Sequence, residues 1–168
     1  MAARRSLVLA LLSSLLLGGA VLGVQSSASA HADPPLQQFS AKKLATPAQA
    51  VRNARRLADG AAHPELINAA GHFVAVAYNA NSFGYSSCAA AASAVQAKGK
   101  FHRTTTPPAG AVVFLAQGDF GNCGIADGNG SVYIMMNARG VVNHRTIASL
   151  RGTWSGWATA AALRPNLA

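Results

Sequence analysis

The hydrophobic period of this chain changes once, at Gly110, and that change limits the folds open to it. Before Gly110 the apolar side chains recur three and four residues apart, the spacing of one helix face. After it they alternate or run in short stretches bounded by glycine, the spacing of strands. Helices first and strands second predict an α+β fold, with N-terminal helices packed on a C-terminal antiparallel sheet.

Within the helical half, Thr46 reads as an N-cap, Pro47 as the first helical residue and Gln49 as the far side of a capping box. Val51, Ala54, Leu57 and Ala58 then form an apolar face, Arg52, Arg55 and Arg56 point to solvent, and Gly60 stops the helix. Pro64 opens a second helical stretch running to Ala77, although Phe73–Tyr78 would also pass as a strand and Gly71 weakens the helix by about 1 kcal/mol. A third helix is expected from Ser86 to Ala97, ended by Gly99. In the second half, Ala111–Ala116 reads as a buried strand and Asn122–Ala126 as its neighbour. Asp127-Gly128-Asn129-Gly130 turns into Ser131–Met136, and Ala138-Arg139-Gly140 turns into Val141–Ile147.

The 168 residues divide by composition. Arg4 and Arg5 precede an apolar or small-residue run from Leu7 to Val24, followed by Ala28-Ser29-Ala30 and Ala30-His31-Ala32, both of the A-x-A form. Residues 1–32 are therefore expected to be a secretory signal peptide, cleaved after Ala30 or Ala32. A retained membrane anchor is the alternative, since the run is nearly long enough to span a bilayer. Residues 33–45, with Pro34 and Pro35, read as an extended leader without a core of its own, and 46–168 as a single domain. Without Arg4 and Arg5, twelve Lys and Arg stand against five Asp and Glu, a formal +7. Outside a cell such a charge favours anionic partners, namely peptidoglycan or an anionic wall polymer, although it also serves plain solubility. No basic-aromatic motif points to nucleic acid, no membrane insertion is expected once the leader is cleaved, and a monomer is expected.

Two cysteines, Cys88 and Cys123, enter an oxidising compartment with 34 residues between them. A disulfide is the default, contributing about 3 to 4 kcal/mol by restricting the unfolded chain. The competing expectation makes one of them a thiol nucleophile, which a disulfide would exclude.

Pro107-Pro108-Ala109-Gly110-Ala111-Val112-Val113-Phe114 followed by Gly121-Asn122-Cys123-Gly124 and Gly128-Asn129-Gly130 resembles the central hairpin of secreted, papain-like cell-wall hydrolases of the CHAP and NlpC groups. In those families a Gly-His-Val strand carries the general base, and a nucleophilic Cys starts a helix that continues with Phe-Val and Ala-Tyr. Here Phe73-Val74 and Ala77-Tyr78 match, as does Ser155-Gly156-Trp157 near the end, so the resemblance covers about residues 47–157. It places Ala70 at the nucleophile and Asn122 at the base, 52 residues apart, a spacing these families share. Neither side chain can perform thiol–imidazole chemistry, because an Asn amide does not accept a proton near neutral pH. The third catalytic position would fall between Tyr133 and Asn137.

The resemblance thus implies a catalytically degenerate hydrolase domain that keeps its cleft, with His72, Asn137 and Trp154 as candidate cleft or binding residues. One alternative is an active cysteine amidase or endopeptidase using Cys88, with His72, His102 or His144 as base. Another is an inhibitor or effector acting on a protein partner. His63 reads as a loop residue, His102 as a structural linker residue and His144 as exposed on its strand. No His pair has metal-ligand spacing, and no metal or cofactor is expected. Trp154 and Trp157 could stack on sugar rings or seal the core beneath a C-terminal loop, the latter favoured for Trp157. Met135-Met136 is expected to pack in the strand.

Overall fold

Thr46 opens the first helix as its sequence requires. In the computed structural model its hydroxyl accepts the Gln49 N–H at 3.3 Å, while the Gln49 side chain accepts the Thr46 N–H at 2.8 Å, so two N-terminal amides are satisfied reciprocally. The structure describes residues 43–136, 139–164 and 167, and all of them belong to one compact unit. Helix α1 spans Pro47–Leu57 and buries Ala50 and Ala54, with Arg52, Arg55 and Arg56 exposed.

The stretch from Pro64 to Ala77 is not one helix. A 3₁₀ turn, Pro64–Leu66, ends at Asn68, whose φ of 55° lies in the left-handed region that asparagine tolerates better than most residues. Helix α2 then starts afresh at Ala70 and runs to Ala77, burying Phe73, Val74, Ala75 and Ala77. Its apolar content comes from burial on nearly all sides, which is why Phe73–Tyr78 imitates a strand. Tyr78, just past its end, is buried and donates its hydroxyl to the Gly110 carbonyl, and burial pushes its pKa up to about 12. Helix α3 is Cys88–Ala97, and Ser87 caps it by accepting the Ala90 N–H at 3.0 Å, so the expected start at Ser86 is two residues early.

The sheet has five antiparallel strands in the order β4-β3-β2-β1-β5: β1 Val112–Leu115, β2 Asn122–Ala126, β3 Ser131–Met135, β4 Val142–Thr146 and β5 Trp154–Ala158. The α+β arrangement is as expected, with a five-stranded antiparallel sheet following the helices α1 to α3. Strand β1 is buried on both faces, which explains its unbroken apolar run. Val112, Phe114, Ile125 and Tyr133 face the helices, whereas Val113, Leu115, Val132 and Ile134 face a second apolar layer closed by Leu150. Leu150 sits in the 3₁₀ segment Ile147–Thr153, and a short helix α4, Ala160–Leu163, ends the fold.

Strand β5 replaces the expected C-terminal loop. Leu115 pairs with Trp154 but Phe114 pairs with Gly156, so Ser155 is an extra residue in a β-bulge. The bulge turns both Trp154 and Trp157 toward the second layer, where each is half-buried. Trp157 therefore does not seal the main core. It stacks on His102 with ring centroids 4.2 Å apart and donates its indole N–H to Thr104 Oγ1 at 3.1 Å. The leader also needs correction at its end, because Ala45 is buried and its N–H donates to the Tyr78 carbonyl at 2.8 Å. Residues 1–32, most of the leader and Asn137 lie outside the described residues. Among those described, no helix is long and apolar enough to cross a membrane.

Candidate functional site

Ala70 is the first residue of α2 and Asn122 the first residue of β2, and both line one groove of about 900 Å³. Its walls are the first turn of α2 with Gly71 and His72, the segment leading into α3 with Phe83 and Tyr85, and the β1–β2 loop from Gln117 to Gly121. Gly71 is required here by close approach, since a Cβ on it would lie 2.5 Å from Cδ1 of the Phe83 ring. Met135 and Met136 line the groove as well, Met135 buried in the main core and Met136 packed against the second layer.

Asn122 is buried, and its amide is fully engaged. Nδ2 donates to the Met135 carbonyl at 2.7 Å and to Gln117 Oε1 at 3.0 Å, while Oδ1 accepts the Cys123 N–H at 2.8 Å. The side chain thus ties the start of β2 to the end of β3 and to the β1–β2 loop. Ala70, on the same groove, offers only a methyl group. His72 is exposed on the groove wall.

Cys88 and Cys123 form a disulfide, Cα to Cα 5.6 Å, joining the first residue of α3 to the residue after Asn122. Neither thiol is free, so Cys88 has no nucleophile to offer in this structure. The other histidines are spread over the fold. His102 hydrogen-bonds in both directions with the Trp157 backbone at 2.8 Å, and His63 Nε2 lies 3.1 Å from the Leu57 carbonyl. Trp154 sits on β5 and does not line the groove. No three of His, Cys, Asp and Glu gather as a ligand set among the described residues.

No known protein family, characterised protein or solved structure matches this chain.

The sequence treated Asp127 as a turn residue and His144 as an exposed strand residue, and missed that they meet. His144 Nε2 lies 3.0 Å from Asp127 Oδ2, and the imidazole stacks on Tyr133 at 4.4 Å. The signal was present once β3 and β4 are paired, because Tyr133 and His144 are cross-strand partners. Burial would raise the Asp127 pKa, but the amides of Asn129 and Ser131 and the His144 ring outweigh it and hold the carboxyl below its ordinary value. A depressed carboxyl pKa adds stability above its unfolded value of about 3.9, and that stability is lost as pH falls through the folded value. Urea midpoints measured between pH 6 and pH 2 should therefore fall more steeply in the native protein than in Asp127→Asn. Parallel profiles would show that the carboxylate contributes nothing.

The groove has a distinctive charge. Among the described residues, Asp119 is the only Asp, Glu, Lys or Arg lining it, in a chain that carries 14 Lys and Arg. Phe120, beside it on the rim, is 75% exposed.

Proposed function

We propose that this protein is a secreted, catalytically inert domain of the CHAP/NlpC type, papain-like in fold, that uses its groove to bind without turnover. One observation carries the proposal: the two positions that the family resemblance assigns to nucleophile and base begin a helix and a strand that share a groove, and they hold a methyl group and a fully hydrogen-bonded amide. Thiol activation needs a sulfur within reach of a proton acceptor, and neither residue supplies either part. The disulfide supports the same conclusion, since it occupies the chain's two sulfurs that could serve as thiols. Export through the N-terminal segment and a net basic chain fit a protein that works at an anionic cell wall.

Purified peptidoglycan incubated with the protein, reduced and unreduced, should release no muropeptides detectable by mass spectrometry. The double substitution Ala70→Cys with Asn122→His should gain at most slight activity, because Asn122 is held by bonds built for an amide. Release that disappears in Cys88→Ala would overturn the proposal and make Cys88 the nucleophile of an active hydrolase.

A further inference from the structure

The groove and the rest of the molecule differ in charge, and that difference bears on what the groove can hold. Net positive charge would draw phosphate or carboxylate polymers to the outside of the domain, for example to Arg52, Arg55 and Arg56 along the exposed side of α1. Inside the groove no Lys or Arg among the described residues waits for them, and Asp119 would repel them. An anion seated there would lose water and gain no cation, which is unfavourable.

The groove does offer apolar contact and neutral hydrogen bonding. Phe83, Tyr85 and Met135 line it, and Phe120 stands on the rim with its backbone fixed by the Ala89 N–H, 2.9 Å from the Phe120 carbonyl. Phe120 and Ile67, 75% and 42% exposed, are the exposed large hydrophobic residues among those described. Phe120 is on the groove, and Ile67 directly precedes Asn68, which also lines it. An aromatic ring on the rim of a concave surface has the chemistry of an interface anchor, since aromatic side chains are enriched among the residues that carry binding energy. Gln117, Asn81 and Ser82 add amide and hydroxyl groups suited to a peptide backbone.

We propose that the groove takes a segment of a partner polypeptide, an apolar side chain seated against Phe120 and a neighbouring Lys or Arg placed at Asp119, and that it rejects acidic polymers. This inference rests on the groove being a non-catalytic binding site and narrows its ligand to protein.

A bead-bound octapeptide library, randomised at each position, tests it with the full secreted chain. Peptides with Phe, Leu, Ile or Met beside Lys or Arg should be enriched, and those with Asp or Glu depleted. The best peptide should bind about tenfold more weakly to Phe120→Ala, as for an interface anchor. Asp119→Lys should lose roughly two- to fivefold for the basic peptide, as for one exposed ion pair, and gain for an acidic one. Both side chains are exposed, so the fold should tolerate either change. No enrichment, or enrichment of acidic peptides, overturns the inference. So does binding of a glycerol-phosphate polymer or of purified muropeptides that is lost in Phe120→Ala, which would make the wall itself the occupant and leave the inert groove standing. Muropeptide release would overturn the inert groove instead.

Discussion

Replacing both cysteines by alanine should lower the stability of the folded chain by about 4 kcal/mol, the chain-entropy value for a cross-link between residues 35 apart. In urea the midpoint should fall by about 2 M, and on heating by about 15 °C for a domain of this size. The effect is large because of where the bridge lies. Cys88 begins α3 and Cys123 belongs to β2, so the disulfide joins a helix of the first half to the sheet of the second. Both residues are buried in the main core, and truncation to alanine removes their packing as well. Reducing agent should reproduce most of the loss in the native protein. A double variant as stable as the native chain would mean that helix and sheet hold together without the bridge, and would restore interest in Cys88 as a thiol.

The same cross-link shows what can be learned from the residues alone. Two cysteines leave one intramolecular pairing, and the structure forms it. The capping box at Thr46 and Gln49 and the limits of β2 were equally accessible, because each depends on neighbours a few residues away. Ala70 and Asn122 line one groove, but the engagement of the Asn122 amide was not legible in the sequence. Its partners, Gln117 and the Met135 carbonyl, are brought to it by the β1–β2 loop and by β3, and no spacing rule specifies them. The break at Asn68 was hidden for a different reason. Apolar residues continue on either side of it, so periodicity carries across a point where the backbone reverses hand.

Strand β5 was the element least accessible to pattern, and the same irregularity makes it vulnerable. Tryptophans at 154 and 157 would lie on opposite faces of a regular strand, so the spacing argues against a strand at all. The bulge at Ser155 reconciles them, and Gly156 makes the bulge feasible. Its φ of +152° is a conformation L side chains rarely adopt. A Cβ there would overlap the His102 carbonyl oxygen and sit 2.5 Å from Cε1 of Phe101. Gly156→Ala must therefore either strain the bulge or push Phe101 and His102 away from the sheet edge, breaking the paired 2.8 Å hydrogen bonds between His102 and Trp157 and their ring stack. Backbone strain of about 1–3 kcal/mol and overpacking of similar size predict a loss of about 3 kcal/mol or more. Amide hydrogen exchange gives the specific signature: in Gly156→Ala the His102 and Trp157 amides should lose protection well before those of β2 and β3. A loss below about 1 kcal/mol with both amides still protected would show that the edge yields freely, and would remove the physical reason for glycine in the Ser155-Gly156-Trp157 match.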